Sequence, residues 1–211
     1  MNILLVHGFL DRGTLFRRLR GRLESAGHVC FAPTLHPRDA RHGIPDLAEK
    51  LSEYIDLSLP VGEPFAIVGF SMGCLISRYY LQTRSEPKRV RALFAISGPM
   101  HGTFTAWLYP GKGTRDMRPG SRFLRELNAP ERATSTVQLH TYFTPLDLMI
   151  IPATSSRLAD ACELKVLTPL HRTMLWNPLV ASDILKKLQE IESENYSAQG
   201  CEKTQSSLNQ P

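Results

Sequence analysis

Ser71 stands between two glycines in Ile67-Val68-Gly69-Phe70-Ser71-Met72-Gly73-Cys74, a G-x-S-x-G run. An apolar stretch, Phe65 to Val68, leads into it, and a helical pattern, Cys74 to Leu81, leads out. A sharp strand-to-helix turn has almost no room for side chains two residues either side of its tip. Gly69 and Gly73 meet that need. The serine at such a tip is held in a strained backbone geometry with its hydroxyl clear of the sheet. It also sits at a helix N-terminus, where free N–H groups and the helix dipole favour developing negative charge. That combination suits a nucleophile for acyl transfer. The competing reading is a serine N-cap on an ordinary glycine-flanked turn, and the strand and helix on either side weigh against it.

A serine nucleophile needs oxyanion donors, a base and an acid that orients the base. The apolar strand Asn2 to Val6 runs straight into His7-Gly8-Phe9-Leu10. The expected donors are the backbone N–H groups of Phe9 and of Met72, just after the nucleophile. Losing one would cost on the order of 100- to 1000-fold in rate. The His7 ring is expected to hold its loop in shape rather than to move protons. In the strand-turn-helix setting of this serine the chain order is Ser, then Asp or Glu, then His. Only His101, His140 and His171 follow Ser71. His140 falls in the alternating pattern Val137-Leu139-Thr141-Phe143 and should face one side of a sheet. His171 follows the short apolar run Leu164 to Leu167, in a loop suited to a movable imidazole. The loop after the preceding strand, Thr144-Pro145-Leu146-Asp147, offers Asp147 as the orienting acid. Asp160 and Glu163 lie on the approach to the last strand, and Asp116 comes too early. One ring nitrogen of His171 is expected within hydrogen-bond reach of Ser71, with Asp147 on the other.

Taken together, His7-Gly8-Phe9, Gly69-Phe70-Ser71-Met72-Gly73, Thr144-x-x-Asp147 and His171 resemble the α/β-hydrolase superfamily. More narrowly, the chain is similar to small lipases and to acyl-hydrolases that remodel glycolipid anchors. The Ser-Met-Gly elbow, Ser97-Gly98-Pro99-Met100-His101-Gly102-Thr103 and Asp116-Met117-Arg118-Pro119-Gly120-Ser121-x-Phe123-Leu124 carry that likeness. It spans roughly residues 1 to 190. Where such lipases read Thr-Pro-His-x-Gly-Thr, this chain reads Gly-Pro-Met-His-Gly-Thr. The histidine is displaced by one, so no role passes to His101. The resemblance implies an α/β-hydrolase fold in compact form: a mostly parallel six-stranded sheet with helices on both faces.

The elements that must position these residues alternate along the chain. Leu15, Phe16, Leu19 and Leu23 share a helix face that Gly27 should close. His28 to Ala32 reads as a strand. Ile44, Leu47, Leu51, Tyr54 and Ile55 mark a second helix with Pro45 in its first turn. The elbow strand and helix follow, then strands Val90 to Ile96, Val137 to Phe143 and Leu164 to Leu167. A final helix is expected from Asn177 as cap and Pro178 at its first position, burying Val180, Ile184, Leu188 and Ile191. Residues 1–192 thus form one domain, with a polar, aperiodic tail expected to be disordered over 193–211. Strands separated by helices imply a parallel sheet covered on both sides.

Residues 98–128 form the longest irregular piece and are expected to be a lid or an acyl-binding wall over Ser71. The alternative is a packed loop whose aromatics belong to the core. The candidate acyl-binding residues are Leu10, Phe104, Trp107, Leu108, Met149 and Ile150, and medium-length acyl chains are expected to be preferred.

With 211 residues, 42% of them hydrophobic, the chain can bury one core, and no apolar run approaches the roughly 18 residues of a membrane span. The first strand begins at residue 2, so no secretory signal is read and a cytoplasmic location is expected. Cys30, Cys74, Cys162 and Cys201 show no metal-ligand or paired spacing. No cofactor, no metal and no nucleic-acid partner is implied. The formal net charge is +5. Arg12, Arg17, Arg18, Arg20 and Arg22 form one basic group, and Arg115, Arg118, Arg122 and Arg125 another. A solvated face explains both, with weak attraction to anionic membrane surfaces as a further reading. The expectation is a monomeric serine hydrolase of carboxylic esters, acting on a small-molecule or lipid ester. A thioesterase or acyltransferase on the same residues, and a non-catalytic acyl-binding protein, are the alternatives.

Overall fold

The computed structural model describes residues 1–83, 89–129 and 137–207, with side chains to residue 194 in the last helix. Six strands form one sheet: β1 (Asn2–Val6), β2 (Val29–Phe31), β3 (Phe65–Phe70), β4 (Val90–Ile96), β5 (Gln138–Phe143) and β6 (Cys162–Lys165). Their order is β2-β1-β3-β4-β5-β6, and every neighbouring pair is parallel. The main helices are α1 (Arg17–Ser25), α2 (Ile44–Ser58), α3 (Met72–Thr83) and α6 (Pro178–Ser207). The short α4 (Lys112–Asp116) and α5 (Arg122–Leu127) lie between β4 and β5.

The period-two alternation of strand side chains sorts the core into two layers. Leu4, Val6, Phe65 and Ile67 pack with Ile44, Leu47, Leu51 and Ile55 of α2 and with Leu75 and Ile76 of α3. Ile3, Leu5, Ala66, Val68 and Phe70 point the other way, onto Leu19 and Leu23 of α1 and Val180, Ile184, Leu188 and Ile191 of α6. A parallel sheet needs crossover connections, and those crossovers supply the helices that bury both of its faces.

Local signals explain the helix boundaries. Gly27, at φ +89, ends α1, and its N–H donates to Glu24 O at 3.0 Å. Asp116 Oδ2 accepts the Ile44 N–H at 3.0 Å, so a carboxylate from the distant α4 serves the start of α2. Asn177 Oδ1 accepts the Leu179 N–H at 2.9 Å at the start of α6. The first helix begins as a 3-10 turn, Gly13–Phe16, before α1 proper.

Three expectations change. The last strand is Cys162–Lys165, two residues earlier than the apolar run suggested, because edge pairing with His140 to Phe143 sets it rather than hydropathy. His171 consequently opens a 3-10 turn, His171–Trp176. Residues 98–128 are not irregular throughout: they fold as a 3-10 turn, Phe104–Trp107, then α4 and α5, and Ala106, Met117, Leu124 and Leu127 join the core. The backbone of α6 runs to Ser207. The tail expected from residue 193 lies largely outside the described side chains. Among the described residues, no helix is long and apolar enough to cross a membrane.

The order β2-β1-β3 reverses direction at β1. In open parallel sheets the crevice beyond the carboxyl ends of the strands, at such a reversal, is where ligands bind. The carboxyl ends of β1 and β3 lead directly into His7-Gly8-Phe9 and Ser71.

Candidate active site

The turn from β3 to α3 is built by contact with β1. A Cβ on Gly73 would lie 2.1 Å from Val6 O and 2.8 Å from His7 O. One on Gly69 would lie 2.9 Å from Cys74 N. Both are backbone contacts that no rotamer change relieves. Ser71 takes φ 53, its N–H donates to Ile96 O at 2.9 Å, and its carbonyl accepts the Cys74 N–H at 3.0 Å. An L-residue is rarely left-handed, and here flanking backbone contacts hold it so. Cys74 is not a second nucleophile, because complete burial pushes its thiol pKa well up.

The loop after β1 lies against this turn. A Cβ on Gly8 would touch Ser71 Cβ at 3.0 Å. The fully buried His7 ring shapes the loop with both nitrogens: Nδ1 pairs with Gly8 O at 2.8 Å, and Nε2 accepts the Leu35 N–H at 2.8 Å. A carbonyl partner requires the proton on Nδ1 and leaves Nε2 as the acceptor, so the ring is neutral. Among the described residues, neither the Phe9 nor the Met72 N–H donates to a protein acceptor. Both remain available to a ligand oxygen.

Asp147 and His171 are brought together. His171 Nδ1 meets Asp147 Oδ2 at 2.7 Å, with both residues buried. The other carboxylate oxygen, Oδ1, accepts the N–H groups of Met149 at 2.9 Å and Ile150 at 3.0 Å. Burial opposes the Asp147 charge, but the His171 hydrogen bond and charge together with these two N–H groups outweigh it, so the pKa is lowered. The carboxylate is thus ionised and fixed at both oxygens. The imidazole lies against Phe70, the residue before Ser71, with ring centroids 4.7 Å apart. Its Nε2 is buried without a hydrogen-bond partner. The expected bond from that nitrogen to Ser71 Oγ is not formed: among the described residues, no partner pins the serine rotamer. Such contacts are often loose in the free enzyme and tighten when substrate binds.

The rival acids are placed elsewhere. Glu163 lies in β6 and pairs with Arg157 at 2.6 Å, Asp160 is exposed, and Asp116 serves α2. His140 stacks on Phe94, with centroids 4.9 Å apart, and His101 is exposed.

Side-chain clamps hold the loops in register. Thr144 Oγ1 donates to Thr168 O at 2.8 Å, tying the acid loop to the histidine loop. Thr103 Oγ1 donates to Met149 O at 2.8 Å and accepts the Ile151 N–H at 2.9 Å, tying residues 98–128 to the acid loop. Arg172, next to His171, forms an ion pair with Asp11, which is 8% exposed and sits beside Gly8. Burial raises the Asp11 pKa in spite of the arginine. The Asp11–Arg172 clamp escaped the sequence reading. Its only signal there was a carboxylate two residues past Phe9 and an arginine adjacent to His171, which does not identify a pair 161 residues apart.

A cavity of ≈ 40 Å³ opens beside Ser71, bordered by Phe9, Ala106, Tyr109, Met117, Met149 and Ile150. Met149 and Ile150 are therefore where the acyl-binding reading put them. Phe104, Trp107, Leu108 and Leu10 do not line it and are 48–77% exposed. The Thr103 and Thr105 hydrogen bonds to Met149 O turn the 3-10 helix so that Ala106, not its aromatics, faces inward. Among the described residues, no group of His, Cys, Asp or Glu is placed to hold a metal ion.

Sequence comparison matches residues 2–173 to the α/β-hydrolase fold family. Lipase B of Aspergillus fumigatus is similar in structure, with a TM-score of 0.70 and 19% identity over 85% of this chain and 50% of that one. The chain thus spans half the length of that lipase. A lipase of Bacillus licheniformis gives a TM-score of 0.65 at 18% identity, over 82% of this chain and 86% of that one. Polyneuridine aldehyde esterase gives 0.62 at 19% identity, over 89% and 98%. At these identities the likeness carries the fold. No curated protein matches in sequence.

The buried histidines make stability depend on pH. Burial lowers the pKa of His7, His28 and His140, in His7 against the opposing pull of Gly8 O. The unfolded chain therefore takes up protons first as pH falls through about 6.5. Stability is full above that value and declines toward the folded-state pKa values. The urea midpoint should drop between about pH 7.5 and pH 5.5. The drop should be smaller in His7→Gln, whose amide oxygen can accept the Leu35 N–H without titrating. A midpoint indifferent to pH in the parent protein contradicts this account.

Proposed function

The chain belongs to the α/β-hydrolase fold family, and on that footing we propose that it hydrolyses carboxylic esters through Ser71, His171 and Asp147. The observation that carries the reading is the 2.7 Å pair of His171 Nδ1 and Asp147 Oδ2, which leaves Nε2 buried and unpartnered beside the Ser71 turn. With Nδ1–H committed to the carboxylate, Nε2 carries the lone pair and serves as the base. Ser71 Oγ attacks the acyl carbonyl while Nε2 takes its proton. Asp147, ionised and held by two N–H groups, stabilises the imidazolium. The N–H groups of Phe9 and Met72 receive the oxyanion. Nε2 returns the proton to the leaving alcohol, then activates water against the acyl-enzyme.

The acyl group enters the cavity beside Ser71. Its ≈ 40 Å³ is far below the roughly 300 Å³ of a site for a drug-sized ligand, so an acyl chain of only a few carbons fits without rearrangement. The proposal therefore favours short acyl groups over the medium-length chains expected from Phe104, Trp107, Leu108, Met149 and Ile150.

Three outcomes are expected. Ser71→Ala should lose fluorophosphonate labelling and p-nitrophenyl ester hydrolysis while keeping its denaturation midpoint; full labelling would place the nucleophile elsewhere. Arg172→Ala should lower kcat by about tenfold to a hundredfold with little change in KM, because the residue next to the base is freed from the β1 loop. Unchanged kcat would mean that Asp147 and Phe70 alone hold the ring. In a chain-length series on one alcohol, kcat/KM should peak at short acyl groups. Met149→Ala should shift the optimum to longer ones, each newly buried methylene adding up to about 0.8 kcal/mol, or roughly fourfold. Trp107→Ala should leave the series unchanged. A maximum at long chains in the parent protein would show that the cavity opens.

A further inference from the structure

Several exposed apolar side chains share one edge of the sheet, whereas Leu57, Val61, Val29 and Leu179 are exposed elsewhere. Leu10 follows β1, Trp107 and Leu108 follow β4, Leu148 and Ile151 follow β5, and Leu170 follows β6, with exposures of 40–77%. In an all-parallel sheet these connections all leave from the carboxyl edge, where Ser71 lies. The segments also touch one another: the Phe104 N–H donates to Ile151 O at 2.9 Å, and the Phe9 and Tyr109 rings meet at 5.4 Å. Leu10, Trp107, Leu108, Leu148 and Ile151 thus flank in sequence the residues that line the cavity, Phe9, Ala106, Tyr109, Met149 and Ile150, and form an apolar rim on its edge of the sheet. Single exposed apolar residues need no explanation, but a clustered rim beside a cleft does.

The charge on this edge has one outward sign. Arg38 donates to Leu10 O at 3.0 Å, and the Arg118 guanidinium lies 4.0 Å from the centre of the Trp107 ring. Arg12, Lys112, Arg115 and Arg172 are exposed on the same connections. The acids there are turned inward or engaged; exposed Asp160, on the β5–β6 connection, lies two residues before β6 and so toward the opposite edge. Asp11 and Asp147 are buried against Arg172 and His171, Asp116 accepts the Ile44 N–H, and Asp39 pairs with Arg41 at 3.0 Å.

We propose that this rim docks the protein on an anionic lipid bilayer, with the cavity mouth facing the membrane. The proposal deepens the ester-hydrolase reading and rests on it only for the consequence that the substrate ester is presented at that surface. Apolar tips carrying Trp, interleaved with Arg and Lys, match the layered chemistry of a bilayer interface. The apolar ends enter the acyl boundary while the cations meet anionic headgroups. A second copy of the chain is the poorer partner, since a two-fold contact would set one basic rim against another.

The test uses Ser71→Ala protein, so that docking is read independently of hydrolysis. It is sedimented with vesicles of phosphatidylcholine alone and of phosphatidylcholine with about one-third phosphatidylserine. Binding to the anionic vesicles should exceed binding to the neutral ones by about tenfold or more and weaken with salt. In Trp176→Phe protein, the remaining Trp107 emission should shift to the blue on binding. Adding Leu108→Glu and Leu148→Glu should abolish sedimentation. The same pair in the Ser71-containing protein should leave hydrolysis of a soluble short-chain ester unchanged, which shows that the fold survives. No sedimentation, equal binding to both vesicles, or binding indifferent to the two glutamates overturns the proposal. So does a concentration-dependent dimer that Leu108→Glu dissociates. Loss of soluble-ester activity in the Ser71-containing parent would instead count against the hydrolase reading alone.

Discussion

The contact between the Gly73 position and the end of β1 governs the site. Val6 O comes so close that a Cβ at Gly73 would sit 2.1 Å from it. β1 and β3 are paired as far as Val6 and Gly69, and that closeness sets Phe9 and Ser71 at one cavity. It also forces the backbone to turn within one residue, which leaves Ser71 at φ 53. A strained φ costs of order 1–3 kcal/mol and persists only where surroundings over-determine it. Here the surroundings are two buried layers and the Ser71 N–H bond to Ile96 O. Any residue larger than glycine at position 73 must part the strands, so the geometry of the Ser71 turn and that of the sheet are one constraint.

Asp147 and His171 are arranged on a different principle, by side chains clamping loops. Thr144 reaches Thr168, Asp147 gathers the Met149 and Ile150 N–H groups, Thr103 reaches Met149 and Ile151, and Arg172 reaches Asp11. Each links connections from different strands. The imidazole is placed from one side by Asp147 and from the other by Phe70, and both are buried. The carboxylate is desolvated, yet its pKa falls, because three hydrogen bonds outweigh the burial. In the proposed reaction, a base placed in this way tolerates a serine that no partner among the described residues holds.

These two principles explain what the sequence could and could not reveal. The turn at Ser71 was legible because its requirement is local: glycines two residues either side, apolar residues before, helical periodicity after. The six strands and four main helices were legible from period and spacing, as was the pairing of Asp147 with His171, which depends only on chain order and strand ends. Side-chain direction in residues 98–128 was not legible. The inward turn of Ala106 and outward turn of Trp107 depend on hydrogen bonds to Met149 O, 44 and 46 residues away. The last strand was misplaced because pairing at a sheet edge, rather than apolar content, fixes Cys162–Lys165. The Asp11–Arg172 clamp needed a distance that no local pattern contains.

The narrow cavity and the apolar rim pose one physical question about substrate. A cavity of ≈ 40 Å³ buries little of an ester, so it provides little binding energy by itself. In water, a long acyl chain would gain almost nothing beyond its first carbons and would have to lie across an exposed surface. At a bilayer the balance differs. The carbonyl and first carbons need the cavity, whereas the rest of the chain never leaves an apolar medium. The rim then replaces cavity volume as the source of apolar contact. Docked as proposed, Leu108 and Leu148, exposed in solution, would enter the membrane. On this view the polar mouth built by Phe9, Met72 and His171 supplies the chemistry, and the surface on which it rests supplies the affinity.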